Sequence, residues 1–203
     1  AEQFNDLTRA YFLAEVPNVA IPQDNILFAC LYNYAKKYKI YNFLSGKNYA
    51  LECILQRGNS YGAYDLVNIY DIHKKFGRKP IDKLPFISQW QRVWDINVRH
   101  INTLEPLDYV DYNKERAIKE LHEFCGFEYY DAKHLENKLT KVIQLYWFYH
   151  KFGVDKRRSH LSSMIISGQM TRDEALAELQ LPIYDEIEMQ NDIENICHAL
   201  DIS

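Results

Sequence analysis

Apolar residues along this chain recur mostly at intervals of three and four, the period of one helical face. Leu7, Tyr11, Leu13 and Ala14 place a first helix before Pro17, and Pro22 suits the first turn of a second, where a missing N–H costs nothing. Leu27, Leu31, Tyr34 and Tyr38 then follow one another on a single face of that second helix. Residues 40–44, IYNFL, break the pattern with a short run of β-forming residues that ends at Ser45-Gly46. Helix, strand and small-residue loop in that order are the unit of an α/β sheet, in which ligands gather beyond the carboxyl ends of the strands. Ile69, Ile72, His73 and Phe76 predict a helix stopped at Gly77 by a left-handed C′ residue, and Gly126, Gly153 and Gly168 repeat the punctuation.

Beyond residue 111 the pattern is almost wholly helical. Asn113 caps a helix running through Leu121 to Phe124, and residues 133–151 carry Leu139, Val142, Ile143, Tyr146 and Trp147 on a wide apolar face. Asp155 caps a helix through Leu161, Met164 and Ile165 to Gly168. Thr171 and Glu174 have capping-box spacing and open a helix through Leu176 and Leu179. A last amphipathic helix covers 186–200.

Composition narrows the class. The chain has 203 residues, of which 47% are hydrophobic, enough for an ordinary core. The usual glycine frequency of about 7% would give about 14 glycines, and the chain has 7. No apolar run approaches the roughly 18 residues of a membrane span, and residues 1–20 lack a signal-peptide pattern, so a soluble, cytoplasmic protein is expected. Cys30, Cys53, Cys125 and Cys197 are scattered, which predicts buried free thiols rather than a metal knuckle or disulfide framework. A net charge of −4 argues against broad nucleic-acid binding. Any anion site must be local.

The sharpest local feature is KFGVDKRRSH at 151–160. Lys156, Arg157 and Arg158 sit at a helix start, where the macrodipole favours acidic residues. A bound phosphate, held by free N–H groups and guanidinium forks with His160 nearby, would explain that break of a local rule. A solvated basic turn paired with neighbouring carboxylates would explain it too. Ser45, Gly46 and Asn48, with Glu52 beyond, could bind a nucleotide or sugar at the strand end, or form an ordinary turn. His134 and Glu136 could form an acid/base or sugar-binding pair, although i, i+2 spacing puts them on different helical faces. Trp90, Trp94 and Trp147 lie among apolar neighbours, as core or interface residues do.

The run KFGVDKRRSHLSSMIISGQMTRDEALAEL at 151–179 resembles the C-terminal signature of the N-acetyl sugar amidotransferases, lipopolysaccharide biosynthesis proteins of the WbpG type. IPQDNILFACLYNYAKKYKI at 21–40, FLSGKNYALE at 43–52, DLVNIYDIHKKFG at 65–77, EPLDYVDYNKERAIKEL at 105–121 and KHLENKLTKV at 133–142 extend the resemblance over nearly the whole chain. It implies a mainly α chain with a small α/β remnant. Residues 1–110 would be the C-terminal part of a PP-loop, adenine nucleotide α-hydrolase-like α/β domain, and 111–203 a helical substrate or assembly region.

The implied reaction turns the acetamido group of a nucleotide-linked sugar into an acetamidino group in lipopolysaccharide and O-antigen biosynthesis. ATP adenylates the amide oxygen and releases pyrophosphate; ammonia then attacks the carbon and expels AMP. The resemblance implies ATP and Mg2+ in the full-length protein, none for this chain alone, and ammonia from a glutaminase and a conduit subunit. It assigns Lys156, Arg157, Arg158 and His160, with His134 and Glu136, to the substrate, and Ser45, Gly46, Asn48, Glu52, Gln23 and Asp24 to the nucleotide cleft. No catalytic residue and no metal ligand is assigned, and a homo-oligomer is left open.

Departures accompany the match. Lys47 and Leu51 stand where the family pattern has Gly and Thr, Asn25 where it has His, and the phosphate-binding SGGxDS-like loop is not in these 203 residues. The expected whole is therefore the C-terminal part of a longer enzyme, inactive by itself. A non-catalytic helical module that docks the ammonia-supplying glutaminase is the alternative. An RNA-modifying relative of the same superfamily fits the acidic balance poorly.

Overall fold

The computed structural model describes residues 2–54, 62–128 and 137–202. Its elements in chain order are α1 (Glu2–Leu13), α2 (Ile21–Tyr38), β1 (Asn42–Leu44), α3 (Tyr49–Glu52), α4 (Leu66–Phe76), α5 (Gln89–Asn97), β2 (Asn102–Leu104), α6 (Lys114–Cys125) and α7 (Lys138–Lys141). A π-helical turn (Val142–Trp147) then leads into α8 (Phe148–Phe152), α9 (Arg157–Ile166), α10 (Arg172–Glu178) and α11 (Glu186–Leu200). The described fold is mainly helical, and its one sheet pairs β1 with β2 alone. Sheet character at 40–44 is thus real but confined to a two-stranded ribbon, far short of a doubly wound layer.

Two compact units share the chain: one takes residues 1–43, 57–104 and 193–203, the other 44–56 and 105–192. In the first, Ala29, Tyr32 and Ala35 of α2 form a buried cluster with Ile87 and Ile101, against which Phe43 and Tyr64 pack. α1 lies against α4 and α2 with Leu7 and Tyr11 fully buried. The hub of this unit is Asn25. Its side chain is inaccessible to solvent, and its amide donates to the carbonyls of Ala63 (2.7 Å) and Ile87 (2.8 Å) while its oxygen accepts from Ile87 N–H at 3.1 Å. One short side chain thereby anchors two irregular segments to α2. Asp6 does similar work on α1, accepting the N–H groups of Arg78 and Lys79 at 2.8 Å each.

In the second unit α3 and α10 both pack on α9. Lys141, buried on α7, bonds Glu188 at 2.6 Å and the buried Asp192 at 3.0 Å, both on α11. Lys138 adds a contact to Asp192 at 3.1 Å. Gln169 joins the chain before α6 to the end of α9 by accepting from Lys114 N–H and donating to Tyr112 O, each at 3.0 Å.

Local signals read from the sequence are largely present. Asn113 caps α6 through Arg116 N–H, and Thr171 and Glu174 form a reciprocal capping box on α10. Gly126, Gly153 and Gly168 adopt φ of 69°, 65° and 70°. Gly77 does not: its φ is −73°, ordinary extended backbone. What requires glycine there is a close approach, because an added Cβ would sit 2.6 Å from the carbonyl oxygen of His73.

Other expectations are corrected. Leu27, Leu31, Tyr34 and Tyr38 do share a face of α2, but that face is exposed. Tyr32, Ala29 and Ala35 on the opposite side turn inward, because small residues let α2 lie close to its neighbours. Trp90 is 83% exposed and Trp94 57%, so neither is a core residue. The cysteines are free, but none is fully buried, and Cys125 is exposed. No residue of α6 is buried.

Asn25→Ala is expected to destabilise by about 3 kcal/mol, because it strands two carbonyls and one buried N–H. A urea midpoint within experimental error of the parent protein would contradict this.

Candidate functional site at the start of α9

α9 is stitched to the segment 44–56 by serines. Ser163, fully buried, accepts Ile54 N–H at 3.0 Å and donates to Ser159 O at 3.0 Å. Ser167 donates to Ala50 O at 2.9 Å. Partners on α9 run from Ser167 back to Ser163 as the chain runs from Ala50 in α3 to Ile54 just beyond it, so the two run antiparallel. Ser159, Ser163 and Ser167 recur every four residues, a stripe of small hydroxyls that could have identified this contact face from sequence alone.

This geometry separates the two clusters of predicted site residues. The Ser45–Asn48 turn lies toward the C-terminal end of α9 and the basic cluster at its N-terminal end, about 15 Å apart along ten helical residues. Glu52 lies between them on α3. Ser45 Oγ accepts Lys47 N–H at 3.2 Å, and buried Asn48 accepts Leu51 N–H at 2.9 Å as the N-cap of α3. Tyr49 N–H is taken by Asp108 at 2.7 Å, and Lys47 pairs with Glu105 at 3.2 Å. Gly46 has open space where a Cβ would stand, so this turn is no tight phosphate cradle. Its polar groups serve its own backbone.

At the other end Arg157 is fully engaged. Its Nε lies 3.2 Å from each Asp155 oxygen and its Nη2 2.9 Å from Oδ2. Nη1 donates to Leu181 O at 2.9 Å and Glu178 O at 3.3 Å, and Nη2 reaches Leu179 O at 3.5 Å. These carbonyls close α10, so the guanidinium sits where a helix macrodipole favours a cation. The apparent break of a rule at the start of α9 is compliance with the same rule at the end of α10. Asp155 also accepts Arg157 N–H at 2.9 Å, but it precedes the N-cap position, which Lys156 holds without a side-chain cap. Burial opposes ionisation of Asp155, but the hydrogen bonds and charge of Arg157, with the charge of Arg158, outweigh it and hold the carboxyl below its usual range.

Lys156 and Arg158 flank this latch. Lys156 is half-buried, with Nζ 5.7 Å from the centre of the Phe148 ring, and burial lowers its pKa. Arg158 is exposed and His160 half-buried. Gln23 and Asp24 belong to the other unit, in the first turn of α2, where burial raises the pKa of Asp24. His134 and Glu136 lie outside the described residues. Among the described residues no cluster of His, Cys, Asp and Glu could hold a metal ion, and no helix is long and apolar enough to cross a membrane.

The latch, its flanking cations and the α3 contact along α9 all lie within the second unit. Residues 136–203 match the family described as LPS biosynthesis protein WbpG-like, C-terminal domain. That segment is similar to the C-terminal domain of lipopolysaccharide biosynthesis proteins of this type, and it contains the whole 151–179 signature. Comparison with curated proteins and with solved structures found no match.

Arg157→Lys is expected to cost roughly 2 kcal/mol, since an ammonium cannot serve the carboxylate and the end of α10 together. The Asp155 carboxyl titrates lower in the folded state than in the unfolded chain. Its contribution is therefore complete above the unfolded value near about 4 and is lost as pH falls through the folded value. Asp155→Asn should flatten the loss of stability on acidification below about pH 4. Denaturant titrations of the two proteins from neutral to acid pH check this, and parallel curves would refute it.

Proposed function

We propose that this chain is the C-terminal part of an ATP-dependent amidotransferase that converts the N-acetyl group of a nucleotide-linked sugar to an acetamidino group in lipopolysaccharide biosynthesis. The start of α9 would hold the anionic part of that substrate. The observation that carries this reading is the family match across 136–203, which spans a basic helix start whose middle cation is already committed. Arg157, clamped by Asp155 and the end of α10, spends its charge on the fold. It also orders the backbone on which Lys156 and Arg158 stand. Those two cations are the groups offered to a phosphate, with His160 nearby and Arg158 supplying a forked donor. Partial burial of Lys156 strengthens its attraction for an anion by lowering the local dielectric.

No step through ATP or Mg2+ is assigned to residues of this chain. In the proposed reaction the amide oxygen leaves on AMP and ammonia nitrogen takes its place on carbon. Ammonia would come from a glutaminase through a conduit subunit. A second reading, a docking module for the glutaminase, is favoured by the exposed stripe of Leu27, Leu31, Tyr34 and Tyr38 on α2. Apolar rows of that length on an exposed helix commonly mark protein contacts.

Arg158→Ala in the full-length protein is expected to weaken binding of the nucleotide sugar by about tenfold while leaving the unfolding midpoint unchanged. Calorimetric titration with the nucleotide sugar measures it, and unaltered affinity would sink the assignment. Leu31→Asp reports on the second reading: retained association with the glutaminase and conduit subunits would remove it.

A further inference from the structure

Four side chains outside the α9 site cluster on one surface of the second unit. Tyr146, Tyr149 and His150 come from the helix that contains the π-helical turn, and Tyr184 from the segment between α10 and α11. His150 Nε2 and the Tyr184 hydroxyl are hydrogen-bonded at 2.6 Å. The His150 ring centre lies 4.5 Å from that of Tyr146 and 5.2 Å from that of Tyr149. Tyr146 and Tyr184 are 6.1 Å apart.

The backbone explains why these rings face outward. Phe148 N–H donates to Ile143 O, five residues back. The extra residue in that turn rotates the remainder of the helix by about 100° relative to a regular one. Val142, Ile143 and Phe148 are buried, while Tyr146 and Tyr149 remain 37% and 42% exposed. Neighbouring aromatic faces are already covered: Lys151 Nζ lies 4.7 Å over Trp147 and Lys156 Nζ 5.7 Å over Phe148. The tyrosines are covered by no such cation among the described residues.

We propose that Tyr146, Tyr149, His150 and Tyr184 form a binding face for a pyranose ring. The ring geometry selects this class of ligand. Interplanar angles of the four ring pairs in contact are 40°, 54°, 56° and 86°, so none of these pairs forms a parallel slot for a flat base. A pyranose chair presents C–H groups on one face and hydroxyls around its rim. Such a face can lie on one exposed tyrosine ring while its hydroxyls meet His150 Nδ1 and the tyrosine hydroxyls. The His150–Tyr184 bond fixes both polar rings before the ligand arrives, which reduces the entropy lost on binding. The face deepens the proposed function, on which it rests, by locating the sugar of the substrate separately from its phosphates.

Saturation-transfer NMR on the 203-residue chain, with N-acetylglucosamine as the probe, tests this. The parent protein is expected to saturate the ring protons of the sugar, and Tyr149→Ala and Tyr146→Ala to reduce the effect by about tenfold. Tyr149→Phe keeps the ring and should keep most of the signal; Tyr184→Phe should lose about half. Circular dichroism of each variant confirms that the fold is retained. No saturation with the parent protein, or saturation indifferent to both alanine substitutions, overturns the proposal. Equal saturation of uridine with the same tyrosine dependence overturns its choice of ligand. Because the sugar probe carries no phosphate, its binding is independent of Arg158. A nucleotide sugar whose affinity depends on Arg158 and not on Tyr149 leaves the proposed function standing without this face, and the reverse dependence leaves the face without that function.

Discussion

A buried backbone N–H or carbonyl must be paired, and where no helix or sheet ladder supplies the partner a side chain has to. This constraint governs the described residues, among which the sheet has two strands and long stretches between helices are irregular. The answer is repeated with different residues: Asn25 for the segments at 63 and 87, Asp6 for 78 and 79, Ser163 for 54, Gln169 for 112 and 114, Arg157 for the end of α10. Each is a short-range bond across a long sequence separation. Asn25, Asp6 and Ser163 are buried, Gln169 is half-buried, and the guanidinium of Arg157 is engaged on every nitrogen.

The same constraint shapes the candidate site. At the start of α9 three consecutive cations suggest an anion site, yet the central one is a structural clamp with a carboxylate on one side and helix-ending carbonyls on the other. The flanking Lys156 and Arg158 inherit a rigid backbone from it. In the proposed reading, stability and binding are divided among adjacent residues of like charge, a division that composition cannot reveal. At the other end of α9 the Ser45–Asn48 turn spends its hydroxyl and amide on its own cap and turn, which is why its likeness to a ligand loop does not translate into open donors.

Apolar surface is distributed unevenly. α2 is apolar on two faces, and the buried one is chosen by Ala29 and Ala35, whose small side chains permit close packing, rather than by the larger Leu27 and Leu31. Tyr146 lies within the π-helical turn and Tyr149 just after it, and both rings stay partly exposed. Exposed aromatic and aliphatic groups in these two places are surfaces of the kind that ligands or partners cover.

Helix existence, caps and most stops were legible because they depend on residues within four or five positions of one another: Asn113, the Thr171–Glu174 box, and the left-handed glycines at 126, 153 and 168. The resemblance at 151–179 was legible for the same reason, as contiguous chemistry. Tertiary structure alone decided which face of α2 is buried, that Arg157 belongs to α10, and that Lys141 meets Asp192. Those outcomes turn on partners tens of residues away, whose approach depends on how helices pack and on which backbone groups are left without a ladder.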